Sequence, residues 1–190
     1  MVDLEEDIKQ CVDVLRKGGT ILYPTDTVWG LGCDALNEAS IEKVFRIKQR
    51  PKDKSLIVLL AEPREVLQYV AAPHPDIIDI LGGFNRPTTV IYDGPLDFPE
   101  SLIHETGTIA IRVTDDPFCK ALIKRYRRPI VSTSANISGA PTPATYSEIS
   151  DVIRQEVDYV VKYRREDTRM NPPSRLVRLQ DDGSLEILRA

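Results

Sequence analysis

In 190 residues the chain holds only three cysteines and two histidines. Cys11, Cys33 and Cys119 are odd in number, widely spaced and without a nearby histidine, so neither a disulfide framework nor a zinc centre is expected. They read as small buried apolar residues. No apolar run approaches the roughly 20 residues that span a bilayer, and the start, MVDLEEDIKQ, is acidic where a secretory signal is basic and then apolar. A cytoplasmic protein with no membrane partner is the expectation. Aromatic residues make up 6% of the chain and the net charge is −4, so general affinity for nucleic acid is not forecast. Catalytic signatures are also missing: there is no GxxxxGKS/T, no GxGxxG after a strand, no GxSxG and no HExxH. A triad hydrolase, a P-loop or Rossmann nucleotide fold and a zinc enzyme all lose support.

What is present is an ordinary globular composition, 42% apolar and 28% charged, with no internal repeat, low-complexity tract or linker. The length fits one domain, residues 1–190, burying about 70% of the surface its unfolded chain exposes. Ile8, Cys11, Val12 and Leu15 at helical spacing before Gly18-Gly19 predict a first helix. TILYPT (20–25), SLIVLL (55–60), TTVIYD (88–93) and TIAIRVT (108–114) read as strands. In the last of these, Ile109, Ile111 and Val113 alternate with Ala110 and Arg112, so Arg112 points away from its apolar neighbours. Asn37 caps a helix carrying Ile41, Val44, Phe45 and Lys48 on one face, which Pro51 stops at Arg50. Further helices are expected over 63–70, 75–83, from Asp116-Pro117 onward and over 146–157. PIVSTS is expected as a central strand, YVVK as a late strand, and 174–189 as a hairpin turning at Asp182-Gly183. The fold class is therefore α/β, a twisted open mixed sheet flanked by helices.

Three stretches are more polar than packing requires. YPTDTVWGLGCDA (23–35) puts Thr25, Asp26 and Thr27 at a strand end, with Gly30 and Gly32 giving backbone freedom; on spacing alone it is a capped turn. RIKQRPKDK places Arg46, Lys48, Arg50, Lys52 and Lys54 within nine residues. That run reads equally as a helix end complementing its dipole or as a polyphosphate or carboxylate site. STSANISG puts Ser132, Thr133, Ser134, Asn136 and Ser138 at the carboxyl end of a strand, where α/β sheets bind ligands and where an ordinary turn is also possible.

In this order YPTDTVWGLGCDA, KQRPKDKSL and STSANISG resemble the YrdC-like family, the threonylcarbamoyl-AMP synthases of tRNA modification. TGTIAIRV (106–113) and PPSRLV (172–177) sit where that family has corresponding segments, and the similarity covers nearly the whole chain. The resemblance implies a large, positively lined cavity. It also implies the conversion of L-threonine, bicarbonate and ATP, with Mg2+, into L-threonylcarbamoyladenylate and pyrophosphate. Transferase proteins downstream then modify position 37 of tRNA. It implies catalytic roles for Lys48 and Arg50, and ATP contacts from Arg50, Lys54, Ser134, Asn136, Thr142 and Arg189. Threonine is to be held by Thr27, Arg112, Ser132 and Ser174, with Thr25 and Asp26 shaping that pocket. No resident metal or tightly bound cofactor is implied. Lys48-x-Arg50 and Ser134-x-Asn136, the elements altered in a family branch of uncertain activity, are intact. Arg86, Arg175 and Leu176 depart from the family pattern. The alternatives are a module for double-stranded RNA or tRNA, built on Arg46 to Lys54 with Arg125, Arg127, Arg128, Arg164 and Arg165, and a silent nucleotide-binding paralogue.

Overall fold

The computed structural model describes residues 4–190; residues 1–3 of the expected 1–190 domain lie outside it. Along the chain come α1 (Leu4–Arg16), β1 (Ile21–Tyr23), β2 (Gly30–Gly32), α2 (Glu38–Lys48), β3 (Ile57–Leu60), α3 (Val66–Tyr69), α4 (Ile77–Gly82), β4 (Thr88–Asp93), β5 (Thr108–Val113), α5 (Pro117–Tyr126), β6 (Ile130–Ser134), α6 (Asp151–Glu156), β7 (Tyr159–Val160), β8 (Arg175–Leu179) and β9 (Leu185–Arg189). The strands form one sheet in the order β7-β1-β2-β6-β3-β5-β4-β8-β9. β1 with β7, β3 with β5 and β4 with β8 run parallel, and the remaining neighbours run antiparallel. This is the twisted mixed sheet flanked by helices that the periodicities predict, with PIVSTS inside it as β6.

Local chemistry accounts for the helix boundaries. α1 buries Ile8, Cys11, Val12 and Leu15 along one stripe and packs beside α5 and β1. The Asn37 side chain accepts from Ser40 N–H at 3.2 Å and that of Asp116 from Cys119 N–H at 3.0 Å, each satisfying a donor that an uncapped helix start leaves free. The three cysteines are free and buried.

Several expectations are corrected. α2 stops at Lys48, two residues before Arg50, because Gln49 turns left-handed (φ 49°). The N–H groups of Gln49 and Arg50 then close on the carbonyls of Arg46 and Phe45, each at 3.0 Å, a Schellman ending that needs no proline. Residues 63–70 are a 3-10 turn, Pro63–Glu65, followed by α3, and 146–157 are a 3-10 turn, Tyr146–Glu148, then α6. YVVK shortens to Tyr159–Val160.

The larger correction concerns Gly30 and Gly32, which lie in strand β2 instead of a turn. Their role is to make room. A Cβ on Gly32 would stand 2.1 Å from the Val131 carbonyl oxygen and 2.9 Å from the Tyr23 ring, and one on Gly30 3.1 Å from that ring. Tyr23 is fully buried and its hydroxyl donates to the Val131 carbonyl at 3.0 Å. The glycines thus let β2 cross over a tyrosine locked between two strands.

Candidate active site

Side-chain alternation divides β5 between two environments. Ile109 and Ile111 enter the core, while Thr108, Ala110 and Arg112 line a cavity of about 590 Å³ on the other face. That volume is in the range of small-molecule sites. Arg50, Arg112, Arg178 and Arg189 line it, and no lining residue is Asp or Glu.

Strand register fixes the layout. One row across the sheet runs Ile130, Leu59, Arg112, Thr89, Leu176, Arg189, and the next runs Ser132, Ile57, Ala110, Ile91, Arg178. Ser134, two residues further along β6, pairs with Gly30. Arg50 donates through Nη2 to the Ser55 carbonyl at 2.9 Å and through Nε to that of Lys54 at 3.2 Å. Ser55 precedes by four residues the Leu59 that faces Arg112, so the two arginines are anchored about 13 Å apart along the strand direction. The cavity therefore has a cation near each end.

At the Arg112 end the guanidinium is buried and gives one nitrogen to the protein. Nη1 donates to Asp26 Oδ1 at 2.9 Å and to Thr27 Oγ1 at 3.3 Å. Nε is buried with no partner. The Thr27 hydroxyl is also defined. Thr25 Oγ1 gives its proton to the Val28 carbonyl at 2.7 Å, so at the 3.0 Å contact between the two hydroxyls Thr27 must be the donor. What Thr27 offers the cavity is a lone pair, suited to a hydroxyl or amine. Thr89 and Ser174 hydroxyls meet at 2.8 Å, and Arg189 Nη2 donates to the Ser174 carbonyl at 2.8 Å.

At the other end the Ser134 side chain lines the cavity, as does Thr142. Lys48 stands beneath them, not among them. Its Nζ is buried and donates to the carbonyls of Ser134 at 2.5 Å and Asn136 at 2.8 Å. Burial, helped by Arg50, pushes the ammonium down to about 8. Burial likewise lowers Arg50 from its usual value. Asn136 donates from Nδ2 to the Ala140 and Ile137 carbonyls at 2.8 and 3.2 Å, while its Oδ1 is buried without a partner.

Of the residues singled out in the sequence, Thr27, Arg50, Arg112, Ser132, Ser134, Thr142, Ser174 and Arg189 meet in this one cavity. Lys48, Lys54 and Asn136 are outside its lining, with Lys54 exposed. Lys48, expected at the phosphates, gives two of its three N–H donors to the Ser134 and Asn136 carbonyls and stands behind the lining. Arg189, grouped by sequence with Ser134 and Thr142, hydrogen-bonds instead to Ser174 beside Thr89. Ser55, His104, Thr106, Thr108 and Arg178 also line the cavity and were not singled out. For Thr108 a signal existed, since alternation puts it on the face of Arg112. His104 sits in a loop, where no periodicity points anywhere. The charged segment 163–173 places Tyr163, Arg164, Arg169 and Asn171 around a second cavity and Pro173 at the first.

The family model Sua5/YciO/YrdC, described as telomere recombination, matches residues 13–190. The chain belongs to this family. Among Sua5/YciO/YrdC relatives, the threonylcarbamoyl-AMP synthase of Vibrio cholerae serotype O1 is 33% identical over 189 residues, covering 98% of both chains. That of Escherichia coli K12 is 36% identical over 151 residues, 77% of this chain and 80% of the relative. The crystal structure of P. abyssi Sua5 complexed with L-threonine superposes with a TM-score of 0.85 at 25% identity over 94% of this chain. This chain spans about half of that protein, 52%. E. coli YciO gives a TM-score of 0.81 at 28% identity, covering 98% of this chain and 89% of its own. Among the described residues no helix is long and apolar enough to cross a membrane.

Proposed function

We propose that this chain is a threonylcarbamoyl-AMP synthase, an adenylyl-transferring enzyme that makes L-threonylcarbamoyladenylate and pyrophosphate from L-threonine, bicarbonate and ATP. One observation carries the reading: a single cavity without lining carboxylates has Arg50 and a hydroxyl-rich loop near one end and the unspent side of Arg112 near the other. The name and near-complete alignment of the Vibrio cholerae relative support it.

In this reading the threonine amine takes up bicarbonate with loss of water, and an oxygen of the resulting N-carboxylate, not of the α-carboxylate, attacks the α-phosphorus as pyrophosphate leaves. Such a transfer needs in-line positioning and positive charge on the phosphates, not a protein nucleophile. Arg50, fixed by two backbone carbonyls, stabilises the charge that builds on the departing pyrophosphate. Lys48 acts at one remove, holding the turn that carries Ser134 and Asn136. Ser134 and Thr142 on the lining hold the nucleotide, Asn136 shapes the turn behind them, Lys54 stands at the solvent side and Arg189 closes the edge beside Ser174. Arg112 takes the threonine carboxylate, with Thr27, Ser132 and Ser174 lining the same pocket. Magnesium enters as MgATP, part of the substrate. The product serves transferase proteins that modify position 37 of tRNA, and the location is cytoplasmic.

Five of the cations that sequence offered to RNA are engaged within the protein, which favours the enzyme over an RNA module, while Arg46, Lys54 and Arg127 are exposed. Lys52 pairs with Glu42 at 2.7 Å, Arg125 with Glu5 at 2.9 Å, Arg128 with Asp34 at 3.0 Å and Arg164 with Asp116 at 2.5 Å. Arg165 donates to the Val160 and Val161 carbonyls, each at 2.8 Å.

Steady-state kinetics of two variants test the division of labour. Arg50→Ala is expected to raise KM for ATP about tenfold or more with little change for threonine, and Arg112→Ala the reverse, since each charged contact contributes about 1.5–3 kcal/mol. Equal shifts in both constants, or none, would refute it.

A further inference from the structure

Asp26 touches Arg112 from behind. Its carboxylate accepts from Arg112 Nη1 at 2.9 Å, yet it does not line the cavity that Arg112 lines. It faces a second cavity of about 650 Å³, lined also by Arg86, Asp116, Arg164 and Asn171. The Asp26–Arg112 pair is thus part of the wall between the two spaces.

The loop that carries Asp26 is itself pinned. Thr27 N–H donates to Thr25 Oγ1 at 3.0 Å, and Thr25 Oγ1 to the Val28 carbonyl at 2.7 Å. Arg164 Nη2 donates to the Thr25 carbonyl at 2.6 Å while its Nη1 is held by Asp116 at 2.5 Å. The backbone that carries the carboxylate is therefore held in place on both sides of Asp26.

Arg112 is 4% exposed and Asp26 20% exposed. A guanidinium buried this far needs a counter-charge, and Asp26 is the one carboxylate paired with it among the described residues. By taking Nη1, Asp26 leaves the unpartnered Nε side of the fork for a second oxyanion, the bidentate geometry in which arginine reads a carboxylate.

We infer that Asp26 is a positioning residue: from the far side of the wall it orients the Arg112 guanidinium and so sets the affinity for the carboxylate of the amino-acid substrate, without touching that substrate. The inference rests on the proposed role of Arg112 as the carboxylate-binding group.

Calorimetric titration of the full chain with L-threonine, L-threonine amide and MgATP tests it, in wild type, Asp26→Asn, Asp26→Glu, Arg112→Ala and the Asp26→Asn/Arg112→Ala double variant. Asp26→Asn, isosteric and checked for folding by thermal unfolding, is expected to weaken threonine about tenfold while MgATP and the carboxylate-free amide bind as in wild type. Asp26→Glu restores part of the loss, and Asp26→Asn adds nothing in the Arg112→Ala background, since the two act through one contact. A merely structural role would shift MgATP as well and would add to Arg112→Ala. Unchanged threonine affinity in a folded Asp26→Asn, or a loss equal for the amide, overturns the inference. If wild type itself binds no threonine, or Arg112→Ala binds it unaltered, the proposed role of Arg112 fails instead.

Discussion

The ammonium of Lys48 stands 2.5 Å from the Ser134 carbonyl oxygen, and the carbonyl of Lys48 accepts from Ser138 N–H at 2.7 Å. One residue thus fastens the 134–138 turn with both its side chain and its backbone, and the cavity edge carrying Ser134 depends on it. Lys48→Met keeps the apolar stem but leaves the Ser134 and Asn136 carbonyls without their donor, at a cost of about 1–3 kcal/mol each. The expected result is a lower thermal midpoint by about 5–10 °C, together with a fall in kcat of about a hundredfold or more. A variant with wild-type turnover would remove Lys48 from the mechanism.

Lys48 also gives the site a pH dependence. Its folded value, pushed down by burial to about 8, lies below the usual 10.5, so the charged form that grips two carbonyls is lost as pH rises through about 8. Turnover is expected to fall along a basic limb there, and Lys48→Arg, which stays charged, removes that limb. Stability moves the opposite way. Between about 8 and 10.5 the unfolded chain holds the proton and the folded one does not, so stability rises with pH. Burying the ammonium costs up to about 3 kcal/mol below that window and nothing above it. The stability difference between wild type and Lys48→Met, followed from pH 7 to 10.5, should change in favour of wild type as pH rises.

The inward aim of Lys48 was legible, because Ile41, Val44, Phe45 and Lys48 share a helical stripe and all four are buried. Its target was not, since the carbonyls of Ser134 and Asn136 lie 86 and 88 residues downstream, and backbone acceptors leave no mark in a sequence. The Arg112 face followed from strict alternation. β2 was invisible for the opposite reason: its Gly30-Leu31-Gly32 has no side-chain pattern, and the two glycines record how near Tyr23 and Val131 approach. Asp26 was legible as a pocket-shaping residue, but that it reaches Arg112 from a second cavity depends on the order of strands, which local patterns do not carry.

The two β2 glycines should differ in sensitivity. Gly32→Ala puts a Cβ 2.1 Å from a backbone oxygen, so strand β2 must shift; destabilisation of about 3 kcal/mol or more, or failure to fold, is expected. Gly30→Ala meets the Tyr23 ring at 3.1 Å and Ser132 Oγ at 3.2 Å, which can yield by tenths of an ångström. It should fold with a loss of about 1–2 kcal/mol and, because Gly30 and Ser132 line the cavity, weaken threonine binding. Equal midpoints for the two variants in a thermal melt would contradict this ranking.

Gln49 is an exposed residue held left-handed at φ 49°. Glycine adopts that conformation without the Cβ strain, so Gln49→Gly is expected to stabilise by about 0.5–1 kcal/mol, raising the midpoint by about 1–4 °C, with turnover unchanged. A lower midpoint would show that the Gln49 side chain contributes more than its backbone strain costs.

The most direct test of the account is pyrophosphate release from MgATP by the purified protein, with and without L-threonine and with and without bicarbonate, alongside Arg50→Ala and Arg112→Ala. Release that requires threonine and bicarbonate together and falls about a hundredfold in each variant is the predicted result. Release that ignores threonine, or none from folded protein under conditions where a known synthase is active, would contradict it.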